Sequence, residues 1–534
     1  MITPYGEIPD RLAADMSLAE QHEWLTHHMA RRTVIKGLAA ATAGIALPSL
    51  WMQPARADER TVVRGRHLAY GADPRTEMVV GFAVDSSFAK ARVSATAGSG
   101  STRSADAQVN MVRGSSARYC HAMLTGLEAD TDYGYQVLMD GQVTSRGSLK
   151  TAPSTHSPFR FTAFGDQATG PVATRLLSRV NSLDPRLHLM CGDLCYADST
   201  GTGGPGDAFK PARWDTWLNM NDAVAGRLPW MSVPGNHEME PGYPLHGYGG
   251  FLGRVWPGGS SPVNVPVATT FRIGSVGFVG LDSNDVSYEL PANRGWTGGA
   301  QTSWLEQTLA QLRADGSGLD FVVVFMHHGP YSTSNAHASE GGVREAWVPL
   351  FDRYSVDLVI SGHNHRYERT LPLRAGTVTG ASSSTVDSSQ GTTYVTAGGG
   401  GADLGKLPLF IPYANKTRVN IAGGYTVETE EWSIGTKTGD HAVLCVDVSP
   451  SAAGARPTLV LRAIDAAGTV VDSAELSRPA PSSGSGQTPW LVGGSAATAV
   501  AIGGAAAVIG MRHKRGQPPE VPTESGFLST TEEG

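Results

Sequence analysis

Phe159-Arg160-Phe161-Thr162-Ala163-Phe164-Gly165-Asp166 is a short, largely apolar strand pattern that stops at a glycine and a carboxylate. A helical pattern follows, with Ala173, Leu176, Leu177 and Val180 on one face, and then a second apolar run, Leu187 to Met190, that stops at Gly192-Asp193. Strand, loop, helix and strand in this order predict a layered α/β sheet. Further strands are expected at Pro229 to Val233, Val276 to Leu281, Phe321 to Met326 and Val356 to Ile360, with a helix from about Thr302 to Ala314. Beyond Gly398-Gly399-Gly400-Gly401 the chain turns β-rich, and His441 to Val448 and Thr458 to Ile464 read as a closing hairpin region.

Upstream the period changes. Residues 60–152 carry short β-type runs such as Met78 to Val84 and Tyr133 to Leu138, separated by Gly, Asp and Ser turns, which predicts an all-β sandwich. Leu124 to Tyr135 resembles the corner of a fibronectin type III domain, and no catalytic constellation lies within the sandwich.

The whole chain has 534 residues, beyond the roughly 250–300 at which one core stops growing. Its formal net charge is −7 and only 17% of its residues are charged, which argues against a broad basic surface and hence against nucleic acid as partner. With 65 glycines, 32 prolines and 40% hydrophobic residues it suits a loop-rich globular enzyme. The cysteines are Cys120, Cys191, Cys195 and Cys445, too few for a disulfide scaffold at this length, and none forms a C-x-x-C pair.

Both ends read as addresses. Arg31-Arg32-Thr33-Val34-Ile35-Lys36, the mild apolar run to Trp51 and Ala55-Arg56-Ala57 resemble a twin-arginine export signal occupying residues 1–57. Residues 490–511 carry no formal charge, are long enough at about 33 Å to cross a bilayer, and precede Arg512-His513-Lys514-Arg515. The positive-inside rule then places residues 512–534 in the cytoplasm and everything before Trp490 outside, on a Pro/Ser/Gly stalk at 479–489. An exported protein held at the cell surface by a C-terminal transmembrane helix is the expectation.

Five expected strands end in polar residues of one chemical kind: Gly165-Asp166, Gly192-Asp193-Leu194-Cys195-Tyr196, Gly235-Asn236-His237-Glu238, Met326-His327 and Gly362-His363-Asn364-His365. In open α/β sheets the carboxyl ends of strands face the ligand crevice, so distant residues converge there. A glycine before each of Asp166, Asp193, Asn236 and His363 would let the backbone turn and bring the side chain close. Taken singly, a strand-end Asp is ordinarily a cap or turn former and a lone His a packing residue. Together, Asp166, Asp193, Asn236, His327, His363 and His365 supply carboxylate, amide and imidazole donors suited to Zn, Fe or Mn. So many donors imply two ions, with Asp193 as the natural bridge. Cys191 and Cys195 flank that carboxylate, but thiolates would disturb a hard-metal site: Cys191 is read as a core residue, and Cys195, inside the metal motif, is not read as a ligand.

In this ordered series the chain resembles the purple acid phosphatases, within the calcineurin-like metallophosphoesterases, over roughly residues 60–478. The resemblance implies a four-layer catalytic β-sandwich flanked by helices at 158–400, completed by a β-rich part at 401–478. It implies a first ion, ferric, on Asp166, Asp193, Tyr196 and His365, and a second, divalent Fe, Zn or Mn, on Asp193, Asn236, His327 and His363. A phenolate from Tyr196 would favour the ferric ion and give a violet band. The resemblance also makes His237 the residue that steadies the phosphate and protonates the leaving alcohol, and His337 a second substrate-facing histidine; His328 is read either as a support behind the ligands or as structural. One departure is Ala168, where the family's first motif continues to Gly; it bears on the loop beside Asp166 and on metal affinity more than on the fold.

The implied activity is that of an acid phosphatase acting on small phosphate monoesters, with hydroxide drawn from metal-coordinated water as nucleophile. Two other readings are kept: a nucleotidase or phosphodiesterase using two Mn or Zn ions, with Tyr196 only nearby, and an inactive surface binding module.

Overall fold

A computed structural model describes residues 62–479, apart from 199–200, 202–208, 241–242, 244–246, 263, 291–292, 334–336, 338, 404–430, 438–440 and 453–454. The expected leader and all but the first residue of the expected stalk, anchor and tail lie outside the described residues, as does most of the loop that follows Asp198. Among the described residues no helix is long and apolar enough to cross a membrane.

In Ala91-Arg92-Val93-Ser94-Ala95-Thr96-Ala97 every second side chain is fully buried, the period of a strand with one wet face. Eight strands form the N-terminal region: β1 (Val63–Tyr70), β2 (Met78–Val84), β3 (Ala91–Ala97), β4 (Thr102–Asp106), β5 (Gln108–Met111), β6 (Arg118–Leu124), β7 (Asp132–Met139) and β8 (Gln142–Lys150). They pair as two four-stranded antiparallel sheets, β1-β2-β6-β5 and β4-β3-β7-β8. Val80 and Phe82 from one sheet and Val93, Tyr135 and Val137 from the other share a core between them.

The α/β part begins with β9 (Phe159–Phe164), α1 (Pro171–Leu183), β10 (Leu187–Cys191), α2 (Ala212–Ala225) and β11 (Trp230–Val233). It continues through α3 (Gly249–Arg254), β12 (Thr269–Ile273), β13 (Val276–Gly280), α4 (Ala300–Leu312), β14 (Phe321–Phe325), α5 (Gly341–Ala346), α6 (Val348–Arg353), β15 (Leu358–Ser361) and β16 (Tyr367–Thr370). A small hairpin, β17 (Leu373–Arg374) with β18 (Thr377–Val378), precedes β19 (Thr385–Asp387), β20 (Thr393–Ala397), β21 (Ser433–Lys437), β22 (Ala442–Ser449), β23 (Thr458–Asp465) and β24 (Val470–Ser477). Helix α4 is shifted two residues upstream of its expected span, starting directly after Gly299, which has φ +85°.

Two seven-stranded sheets result, ordered β11-β10-β9-β22-β23-β24-β19 and β12-β13-β14-β15-β20-β16-β21. Their faces meet through Phe161 of one and Phe278 of the other, edge to face at 5.3 Å between ring centroids. Each such ring withdraws enough apolar surface to contribute about 1.5–3 kcal/mol. Helices cover both outer faces. Leu176 and Val180 of α1 pack with Phe164 and Met190, while Leu305 and Leu309 of α4 pack with Val322 and Val324. Pro171 at the first position of α1 fits there because its missing N–H has no partner to lose.

The N-terminal sandwich is held to the α/β part along α2. Arg64 Nη1 reaches Asp215 Oδ1 at 2.9 Å, Tyr119 Oη donates to the same oxygen at 2.8 Å, and Arg66 N donates to Asp222 Oδ2 at 2.7 Å. Strands β9, β10 and β11 run parallel, as do β13, β14, β15 and β20. The carboxyl ends of β9, β10, β11, β14 and β15 lead into Asp166, Asp193, Asn236, His327 and His363.

Candidate metal centre

Strand ends that converge this closely leave no room for side chains behind them. A Cβ on Gly235 would lie 2.1 Å from Asp193 Oδ1, and one on Gly362 would lie 2.6 Å from Asp166 Oδ2. These glycines therefore permit close approach, while the sharp turns themselves are taken largely by the polar residues. Asp166 has φ +60°, Asp193 +52°, Tyr196 +55° and His363 +67°. Left-handed backbone costs a non-glycine residue about 1–2 kcal/mol, strain that collects at functional sites. Ala168 has φ +56°, which gives a physical meaning to the departure at this position: a glycine would adopt that turn freely. The loop is nonetheless pinned, because Gln167 is buried and fully engaged. Its Oε1 accepts from Trp217 Nε1 at 2.6 Å and its Nε2 donates to Asn221 Oδ1 at 2.9 Å, both on α2.

All nine candidate residues gather at one place. On one side Tyr196 Oη lies 3.1 Å from Asp166 Oδ1 and 2.8 Å from His365 Nε2, which is 3.4 Å from that same carboxylate oxygen. On the other, His327 Nε2 lies 2.9 Å from Asn236 Oδ1, 3.1 Å from His363 Nδ1 and 3.3 Å from Asp193 Oδ1. Donor atoms of Asp166, Asp193 and His365, and those of Asp193, His327 and His363, lie close enough to share an ion in each group. Asp193 belongs to both. His337 stands on the second side, its ring 3.9 Å from that of His363.

The partners of the rings decide whether this donor set fits metal. His327 Nδ1 faces the Cys191 carbonyl at 2.8 Å and so carries the hydrogen, which leaves the lone pair on Nε2. His363 Nε2 faces Glu289 Oε2 at 2.6 Å, which leaves the lone pair on Nδ1. His365 Nδ1 faces the Asp403 carbonyl at 2.6 Å, which leaves it on Nε2. The lone pairs of His327 and His363 thus point at each other, and that of His327 also faces the Asn236 amide oxygen, an arrangement that only a cation reconciles. In the metal-free chain that cation is a proton: burial opposes it, but Asp193 raises the His327 imidazole to about 10. The residues present fit a divalent ion in its place.

His237 differs from these. Its Nδ1 lies 2.6 Å from Asp198 Oδ1 and its Nε2 is 3.9 Å from Asp193 Oδ2, at the edge of the donor set. Burial works against its charge, yet Asp193 and Asp198 push it up to about 9. His328 is fully buried with Nδ1 on Ser283 Oγ at 2.8 Å. All four cysteines are free and buried, and burial pushes the Cys191 and Cys195 thiols up, away from thiolate.

Four contributors were absent from the expected set. Glu238 accepts backbone N–H groups from Asp193, Leu194 and Gly235 at 2.7, 2.9 and 2.8 Å and so welds two strand ends together. Its carboxylate reaches back to the N–H of Gly235 three residues earlier, the glutamate half of a capping box, and a Glu at that spacing is a signal available in the sequence. Asp198, the Asp403 carbonyl and Glu289 lie on loops without periodicity, where no such signal exists.

Against known proteins, residues 165–367 match the calcineurin-like phosphoesterase family. An uncharacterized protein of Mycobacterium tuberculosis is 33% identical over 81% of this chain and 90% of its own length. Purple acid phosphatase 22 of Arabidopsis thaliana is 32% identical over 48% of this chain and 54% of its own. In fold, the chain is similar to a purple acid phosphatase from yellow lupin seeds, with a TM-score of 0.62 at 21% identity, covering 78% of this chain and 75% of that one. The chain thus carries a calcineurin-like phosphoesterase domain, has purple acid phosphatases among its homologues, and is a phosphoesterase.

Proposed function

We propose that the chain is a phosphatase that hydrolyses small phosphate monoesters at a dinuclear centre. The first ion, ferric, would be held by Asp166, Asp193, Tyr196 and His365, and the second, Fe, Zn or Mn, by Asp193, Asn236, His327 and His363. The observation that carries this reading is the pair of facing imidazole lone pairs beside a shared carboxylate. When bound, the ions supply charge neutralisation and lower the pKa of water toward neutrality.

The chain's own residues do the rest. Asp198 holds His237 at Nδ1, so that a proton on Nε2 is available to the departing alkoxide, and the same cationic ring attracts the phosphate dianion. His337 stands beside the second group as a further contact for the ester. Elemental analysis with a visible spectrum and a p-nitrophenyl phosphate assay test the reading. Two ions per chain, one of them iron, with a violet band and acid-side activity are expected. A colourless enzyme active on nucleotides or diesters with two Mn or Zn ions would replace it with the nucleotidase or phosphodiesterase alternative, and an inactive metal-free protein would overturn it.

We also propose export by the twin-arginine route and anchoring by residues 490–511, which would place the site outside the cell. Replacing Arg31-Arg32 by Lys-Lys should trap the activity inside; unchanged surface activity would refute the route.

A further inference from the structure

Glu289 has no place in the ligand set, yet it touches two of its neighbours. Oε2 lies 2.6 Å from His363 Nε2 and Oε1 lies 2.7 Å from His337 Nδ1. Each carboxylate oxygen thus takes one imidazole, and the two ring centres lie 3.9 Å apart with their planes tilted by 40°. The segment that presents Glu289 is itself fixed. Tyr288 N donates to Glu340 Oε1 at 2.6 Å, Glu289 N donates to Ser287 Oγ at 3.1 Å, and Ser287 N donates to the Ser283 carbonyl at 2.9 Å. Asp285, one turn earlier, accepts from Thr297 N at 3.1 Å and from Gln301 Nε2 at 3.1 Å, tying the segment to the start of α4.

A carboxylate accepts and cannot donate, so each ring must present N–H to it. That requirement fixes the tautomer of His363: hydrogen on Nε2, lone pair on Nδ1, the atom that faces His327. It also fixes His337 by its Nδ1–H and leaves Nε2 as the only other polar atom of that ring. We propose that Glu289 is a positioning residue that selects the metal-binding tautomer of His363 and holds His337 beside it, coupling the second ion's ligand to a substrate-facing ring. The inference rests on the dinuclear reading above. A second carboxylate behind a ligating imidazole raises ligand basicity and restricts its rotation, and loss of such a partner typically weakens metal binding 10–100-fold.

The test uses full-length protein stripped of metal and titrated with Zn against a competing chelator, beside histidine ¹⁵N NMR of the metal-free form. Glu289→Ala should weaken the weaker of the two binding steps by about 10–100-fold and leave the tighter step within about threefold. Glu289→Gln, isosteric but able to donate, should give mixed His363 tautomers where the wild type shows one, and should raise KM more than it lowers kcat as His337 loses its anchor. Both variants should melt cooperatively in the metal-free state, since a carboxylate facing two rings is not part of the core. Zn affinity and His363 tautomer unchanged in both variants would overturn the role of Glu289, as would equal weakening of both binding steps. A wild type that takes up fewer than two ions would instead overturn the dinuclear reading beneath it.

Discussion

The two halves of the candidate centre are aimed by different means. Around Asp166, Asp193 and Tyr196 the backbone does the aiming, with φ values of +60°, +52° and +55° that throw each side chain inward from the end of its strand or loop. Around His327 and His237 the aiming is done by partners, the Cys191 carbonyl and Asp198, and His363 combines a left-handed turn of its own, φ +67°, with a partner, Glu289. A carboxylate needs only direction, because either oxygen can bind. An imidazole needs a tautomer as well, and only a second hydrogen bond supplies one. The backbone half should therefore tolerate changes in its surroundings and respond to changes in turn geometry, whereas the partner half should respond to single distant substitutions.

Asp193 belongs to both halves, so its loss is the most damaging. Asp193→Ala should remove several kcal/mol of transition-state charge stabilisation, roughly a 10³-fold fall in kcat/KM for p-nitrophenyl phosphate, together with at least one ion by elemental analysis. Retention of both ions would mean that the halves do not share a bridge.

The partner half is broken next. His237→Ala should cost about 10²–10⁴-fold in kcat through loss of proton transfer, with both ions retained. Asp198→Asn should act on the same ring through its pKa, and the direction follows from the pairing. Burial opposes the charged ring, but Asp193 and Asp198 raise it in the fold to about 9, above its ordinary 6.5. The pairing thus stabilises the metal-free fold fully below about pH 6.5 and ceases to do so as pH rises through about 9. In Asp198→Asn that decline in melting temperature should flatten and move to lower pH; an unchanged profile would show that Asp198 does not set the charge of His237.

The backbone half is sharpened by the smallest change. Ala168→Gly places at φ +56° the residue that adopts it freely, and should stabilise the fold by about 1 kcal/mol, with metal affinity unchanged because Gln167 already anchors the loop. A loss of stability would mean that the turn is not strained in solution.

Much of this was legible in the chain. The strand ends could be read because Phe321 to Met326 is an uninterrupted apolar run, and Phe159 to Phe164 and Leu187 to Met190 are short β-type runs broken only by Arg160, Thr162 and His188, each leading to a glycine or a ligand. The sandwich was legible in short β-type runs such as Met78 to Val84 and Tyr133 to Leu138, set off by Gly, Asp and Ser turns. Helix α2 was not, because its buried face includes Asn221 beside Trp214, Trp217 and Leu218, and a polar residue there blurs the apolar period. That Asn is buried because it holds Gln167, a contact across 54 residues that no local pattern announces. Glu289 was hidden likewise: its role lies in reaching His363 and His337, 74 and 48 residues away. Direct donors share one grammar of strand ends, whereas the groups that orient them have none.

Strand β9, which leads to Asp166, is hydrogen-bonded along one edge to β22, and Arg160 pairs with Asp447 across 287 residues. At ribosomal speeds of about 5–20 residues per second, that neighbour emerges on the order of tens of seconds after β9 itself. Until then the strand carrying the first carboxylate has an open side, and the donors gathered at its tip have no finished frame. The frame around the first carboxylate is therefore complete only once β22 has been made and has paired with β9.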